Sequence, residues 1–171
     1  SDRIQLTDRT GTAMSTAAYE AERVMDRLHA LLPGQFQLTP RLCRLSNGGY
    51  TDTQAPWISL GGTASLADFS KVTHTSVDNR RFRLNLIIET QTPFEEFEWA
   101  GKHICIGDVE LEIIEPVGRC AAINVDPDTA DASQNHLSTM LQIYGHTNFG
   151  MFARIEKKGT LIQGATMHHI S

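Results

Sequence analysis

The sequence predicts a mostly β protein: a closed or nearly closed, barrel-like sheet with two main helices and one short helical turn. Three observations carry that expectation. Apolar residues alternate with polar ones over Trp57–Leu60, Leu84–Ile88, His103–Gly107, Val109–Ile114 and Asn148–Glu156. That period of two is the mark of a half-buried strand. Glycine-rich turns punctuate these runs at 47–49, 61–62, 107–108 and 157–160. Only two stretches keep a convincing helical period, and neither GxGxxG nor a P-loop occurs, so repeated βαβ units do not fit.

Taken in order, Ile4–Leu6 reads as a short strand. Ser15 and Thr16 are good caps for a helix running to about Leu32, with Pro33-Gly34 as its stop. Ala21, Val24, Met25, Leu28 and Leu31 share its apolar face, so this is a packing helix. From Gln35 the period changes, and Phe36, Leu38, Leu42 and Leu45 suggest one or two strands broken at Pro40. Trp57–Leu60 is a strand, and Ala64–Phe69 has room for only one or two helical turns, capped by Thr63 or Ser65. Asn79–Glu89 reads as a strand with Arg81, Arg83 and Asn85 on one face. Thr92–Trp99 is acidic and aromatic, either a lid or a satellite core. His103–Gly107 and Val109–Ile114 form a hairpin through Gly107-Asp108, with Cys105 an inert residue of the first strand. Pro116 and Gly118 break the second strand, and Ala121–Val125 starts another, closed by Asp126–Thr129. The second helix spans about Asn135 to Tyr144, with Gly145 at its C-terminus. Asn148–Glu156 and Thr160–Gly164 make a terminal hairpin. His168 and His169, being adjacent, would face opposite ways and predict no metal site.

Residues 1–50 form an N-terminal segment with its packing helix, and 51–171 a β domain, a single compact unit overall. The chain has 171 residues, 40% hydrophobic and 20% charged, with a net charge of -5. That balance supports neither nucleic acid nor an anionic membrane as partner. Three cysteines, widely spaced and with no CxxC pair, fit reduced thiols in a cytoplasm better than a disulfide scaffold. Ser1-Asp2-Arg3 is neither a start methionine nor a targeting segment.

Two blocks invite chemistry. Cys120 sits on a strand-end loop beside Arg119, and a guanidinium there favours a thiolate, which is both nucleophile and soft-metal ligand. The bland alternative is a small buried hydrophobe. Arg81, Arg83 and Asn85 make a site for an anion or a hydrogen-bonding heterocycle, or else a charged strand edge. Cysteine-based hydrolysis would need a histidine beside Cys120, for which His103, His136 and His146 are the candidates.

In order along the chain stand Ala64–Asp68, Arg81–Asn85, Glu96–Trp99, Ile106-Gly107, Arg119-Cys120, Asp126–Thr129, Phe149-Gly150 and Gly159–Gly164. In that ordered combination the chain resembles the MOSC domain family, found at the C-terminus of molybdenum cofactor sulfurases and in amidoxime-reducing and N-hydroxylated-base-detoxifying molybdoenzymes. The resemblance implies a molybdenum-cofactor-binding oxidoreductase, reducing N-hydroxylated compounds, or a sulfur-transfer module. Cys120 would then ligate molybdenum or carry sulfur. Arg83 and Asn85 would hold the pterin and its phosphate, with Arg119, Arg81, Gly118 and Ser65 completing the contacts. A small-molecule substrate and an external electron or sulfur donor protein would be needed, because no iron-sulfur cysteine cluster is present. Pyridoxal-phosphate-type ligands also occur in the superfamily, but no lysine here marks a Schiff-base site. The alternative is a non-catalytic carrier of the same fold, with a shallow groove and a covered Cys120. Residues 1–50 do not match the family's N-terminal β-rich part.

Overall fold

A computed structural model describes residues 3–7, 11, 13–17, 21–31 and 55–170. The chain divides into two units, Ser1–Gly48 and Gly49–Ser171. In the first, strands β1 (Arg3–Thr7) and β2 (Ala13–Ala17) pair antiparallel, Arg3 opposite Ala17. Helix α1 spans Ala21–Leu31 and buries Val24, while Glu22, Arg23 and Asp26 are exposed. Ser15 and Thr16, expected to cap this helix, belong to β2 instead. The expected strands at 35–45 and the Pro33-Gly34 stop lie outside the described residues.

The second unit is built on one six-stranded sheet, in the order β4-β3-β7-β6-β5-β8. Its strands are β3 (Ile58–Gly62), β4 (Leu86–Ile88), β5 (His103–Ile106), β6 (Val109–Gly118), β7 (Asn148–Lys157) and β8 (Met167–Ile170). Helices α2 (Thr63–Val72) and α3 (His136–Tyr144) complete it.

The sheet is strongly curled but open, and the described residues hold three helices, so the expected closed barrel with two is corrected on both counts. Curl comes from β6, whose register against β7 shifts at three places, two of them around Pro116. Such bulges bend a strand, and a bulge is where proline is tolerated. Pro116 therefore bends β6 rather than ending it, and the strand runs on to Gly118.

Closure fails for two local reasons. Strand β4 is three residues long, and just beyond it the Thr90 and Gln91 amides are taken by the Thr63 hydroxyl and the Glu95 carboxylate. At the other edge the chain does not turn back on β7. A Cβ on Gly159 would lie 2.9 Å from the Asp108 Cβ, so the chain passes tightly over the Gly107-Asp108 turn. It arrives on the far side as β8, antiparallel to β5, with Cys105 opposite His168. The predicted terminal hairpin is thus a crossover. A cleft of about 930 Å³ lies between the β4 and β8 edges.

Two hydrophobic clusters fill the unit. One, on the sheet, joins Leu60, Ile104, Leu111, Ile113 and Met151 with Trp99. The other joins Phe69, Phe82, Phe149, Met140 and Ile123, and seats α2 and α3. Helix α2 runs ten residues, longer than its sequence promised, and has neither a side-chain cap nor an acid in its first turn. Its N-terminus is served from outside. The buried Glu96 carboxylate accepts from the Gly62 amide at 3.1 Å and from the Ser65 hydroxyl, and the Thr90 hydroxyl accepts from the Ala64 amide. A negative charge placed there complements the helix dipole. Glu96 and Trp99 are buried in a 3-10 turn, Glu95–Trp99, which resolves 92–99 as packing rather than a lid.

Candidate functional site

The site is built on irregular backbone, where the sequence predicted strands. Asn79–Phe82 is a 3-10 turn capped by Asp78, whose carboxylate accepts from the Arg80 amide at 2.8 Å. Arg83 then adopts the left-handed conformation, φ 48° and ψ 40°. For a residue with a Cβ this costs on the order of 1–2 kcal/mol, so neighbours must hold it. They hold it from three sides. The Arg83 amide donates to the Arg80 carbonyl at 3.1 Å, the Phe82 carbonyl accepts from Arg119 Nη1 at 2.7 Å, and the Arg83 carbonyl accepts from the Ser59 hydroxyl at 3.4 Å. The twist separates the arginines that the strand reading had put on one face.

Arg81 turns inward. Its guanidinium donates to the Asn124 carbonyl at 3.0 Å and pairs with Asp126 at 2.7 Å, tying the 3-10 turn to the loop after Cys120. Amides of Thr129 and Asp128, then the Thr129 hydroxyl and the Arg81 charge, hold the Asp126 carboxyl below its ordinary range. Arg80 is exposed between Asp78 and Asp128.

On the opposite wall, β6 ends at Gly118 and the Arg119 amide donates to the Thr147 carbonyl. Arg119 Nε and Nη2 both donate to the Phe149 carbonyl, at 2.9 and 2.5 Å. One guanidinium therefore bridges the carbonyls of Phe82 and Phe149, whose rings stack 3.9 Å apart. Cys120 follows as an exposed free thiol, and Ala121–Asn124 is a 3-10 turn in place of the expected strand.

These pieces enclose a cleft of about 430 Å³ lined by Trp57, Ser59, Arg81, Phe82, Arg83, Asn85, Val117, Gly118, Arg119, Cys120, Ala122, Ile123 and Phe152. Of the residues singled out from the sequence, Cys120, Arg81, Arg83, Asn85, Gly118 and Arg119 come together here. Ser65 does not. It is fully buried, its hydroxyl donating to Glu96 and accepting from the Phe94 amide at 2.8 Å. Within the cleft the Arg83 guanidinium has no hydrogen bond or ion pair among the described residues. The Asn85 Oδ1 accepts from the Ser59 amide at 2.9 Å and shares the single Ser59 hydroxyl proton, at 3.1 Å, with the more distant Arg83 carbonyl, which turns the Asn85 amino group toward other acceptors.

Sequence reasoning missed Trp57, Ser59 and Phe152. Trp57 and Ser59 lie on the face opposite Ile58 and Leu60, and Ser59 is paired with Phe152 across the β3–β7 ladder. The same alternation that identified the strand held that signal. The Trp57 and Phe152 rings stand 5.7 Å apart and give the cleft an aromatic wall.

None of the three candidate histidines lines this cleft. His103 lies on β5, His146 packs on Phe94, and His136 is buried against Phe69. The larger cleft between β4 and β8 has Glu89 as its one ionisable lining residue, so the reactive groups are in the smaller one. Among the described residues no group of three or more His, Cys, Asp or Glu is arranged to hold a metal ion, and no helix is long and apolar enough to cross a membrane.

Residues 54–168 match the family described as the MOSC domain. A molybdenum cofactor sulfurase of Danio rerio is 38% identical over 74 residues, 43% of this chain and 9% of that protein. Mitochondrial amidoxime reducing component 2 of Bos taurus is 29% identical over 119 residues, 63% of this chain and 35% of that protein. The chain thus spans a tenth to a third of the length of these relatives. Among solved structures, YiiM from Geobacillus stearothermophilus superposes with a TM-score of 0.51 at 15% identity, over 67% of this chain and 54% of that one. At that identity the likeness concerns the fold.

Proposed function

The chain belongs to the MOSC domain family, and from that premise we propose that the Cys120 cleft binds the molybdenum cofactor in a redox or sulfur-handling reaction. One observation carries the reading: an exposed thiol and the Arg83 guanidinium, which has no partner among the described residues, share a single cleft.

The donor set suits the group. A pterin-bound molybdenum brings its own sulfur ligands, so the protein need add only one soft donor, and Cys120 is the one thiol there. A built-in cluster of metal ligands is not required. Arg83 would take an anionic phosphate, and the Asn85 amino group, oriented by Ser59, would donate to the heterocycle. Arg81 and Arg119, fully engaged with carbonyls and Asp126, would brace the cleft rather than bind ligand. When bound, the cofactor supplies the two-electron chemistry or the transferable sulfur; the chain ligates, orients and sets the local charge. Trp57 and Phe152 would keep water from one side. An N-hydroxylated small molecule is the substrate class, and the electrons or sulfur would come from a partner protein. The exposure of Cys120 favours this reading over a carrier with a covered thiol.

The test is molybdenum content, by inductively coupled plasma mass spectrometry, of protein made in a cofactor-producing host without a metal-binding tag. Near-stoichiometric molybdenum is expected, with loss of at least about 90% in Cys120→Ala. Equal molybdenum in both proteins, or none in either, sinks the proposal.

A further inference from the structure

Arg119 is the neighbour of Cys120 in sequence, yet the partners of its fork lie on two other segments. Nη1 donates to the Phe82 carbonyl at 2.7 Å, while Nε and Nη2 donate to the Phe149 carbonyl. The Phe82 carbonyl belongs to the peptide that carries the Arg83 amide, and that amide is itself bonded to the Arg80 carbonyl. Both sides of one peptide plane are thereby fixed, immediately before a residue in left-handed backbone. Left-handed backbone at a residue with a Cβ persists only where its surroundings over-determine it.

We propose that Arg119 is a positioning residue: by clamping the Phe82–Arg83 peptide it presents the Arg83 guanidinium to the cleft that holds Cys120. The Ser59 hydroxyl, 3.4 Å from the Arg83 carbonyl, is a second and weaker tether. The inference deepens the reading of this cleft and rests on it only for the use made of Arg83. The geometry itself requires no cofactor. It also gives the residue choice a reason. A planar fork reaches two carbonyls on separate segments, and the stacked rings of Phe82 and Phe149 keep those segments in register. A lysine keeps the charge but is a single point on a flexible stem.

The experiment reads the charge at the Cys120 thiol without cofactor. In the full chain carrying Cys43→Ser and Cys105→Ser, Cys120 is the one thiol left. Its alkylation rates with iodoacetate, an anion, and iodoacetamide, which is neutral, are measured at one pH and low salt. Their ratio cancels the thiolate fraction, because both reagents react with the same thiolate, and it rises with local positive charge.

Arg83→Gln should lower the ratio about threefold, as for one charge removed from a solvent-exposed cleft. Arg119→Lys should lower it by about as much although no charge is lost, and the double variant no further, as coupled residues require. Ser59→Ala should lower it by a smaller factor, about 1.5-fold, and remains informative if Arg119→Lys does not fold. A merely structural Arg119 would lower the melting midpoint and leave the ratio at its wild-type value. That outcome, multiplying effects in the double variant, or no response to Arg83→Gln or to Ser59→Ala would each overturn the proposal. Protein that binds no molybdenum can still pass, so the two readings fail separately.

Discussion

The cluster on the sheet is aliphatic apart from Trp99 and is packed by paired strands, whereas the cluster beside the cleft is aromatic and packed by helices and 3-10 turns. Strands satisfy their own backbone, so Leu111 and Ile113 need only fill space between them. The 3-10 turns at Asn79–Phe82 and Ala121–Asn124 leave carbonyls over, and the arginines Arg81 and Arg119 take them. Large rings then make the contact area that short turns cannot. Phe69 meets Phe82, Phe149, Tyr144 and His136, four rings from one strand, one helix and a turn. The difference teaches that reactive side chains here stand on backbone that folds only with help from side chains.

That contrast can be broken at several points. Phe149→Ala should cost about 3–5 kcal/mol in chemical denaturation. Leu111→Ala should cost a comparable amount, about 2–5 kcal/mol. The two should part in the alkylation ratio of Cys120 measured on folded protein: Phe149→Ala lowers it and Leu111→Ala leaves it alone. A shared response would mean that the two clusters are one mechanical unit.

Glu96→Ala should cost less, about 1–3 kcal/mol, by stranding the Gly62 amide and the Ser65 hydroxyl at the start of α2. Loss of amide exchange protection confined to residues 62–66 would report it. Uniform loss across the sheet would argue against a local role.

The smallest effect expected is one of pH. Burial, then the Arg81 charge, holds the His136 pKa below its ordinary 6.5. The unfolded chain therefore takes up the proton first, so this residue adds stability above pH 6.5 that is lost as pH falls through the folded value. His136→Phe should flatten the stability profile in that window. An unchanged slope would mean that His136 is not the titrating group. The carboxylates Asp78, Asp126 and Asp131 are all held below 3.8, and their contributions disappear at lower pH still.

Legibility followed the same division. The β5–β6 hairpin, β7, the span of α3 with Gly145 closing it in left-handed backbone, and the short strand near the N-terminus were readable, because period and turn chemistry agree there. The family was readable too, from ordered landmarks. Neither 3-10 turn was, since four residues carry no period, and alternation across Arg81, Arg83 and Asn85 imitates a strand. The convergence of Cys120 with Arg83 and Asn85 was anticipated only through resemblance. Resemblance assigned ligand contact to Arg119 and Ser65; Arg119 lines the cleft with its fork on two carbonyls, and Ser65 is buried against Glu96, outside that lining. The open edge was hidden because Gly159 reads as a hairpin glycine when its role is close passage over Asp108.

The pairing of β3 with β7 joins Ile58 to Ala153 across most of the domain. During synthesis Trp57 and Ser59 leave the ribosome long before the strand that carries Phe152, and loops of that span close slowly. The wall of the cleft therefore assembles only after the segment that carries Phe152 has emerged. Any cofactor this cleft takes must therefore be delivered after Phe152 has been made, and until then Cys120 and Arg83 travel on a chain whose cleft lacks that wall.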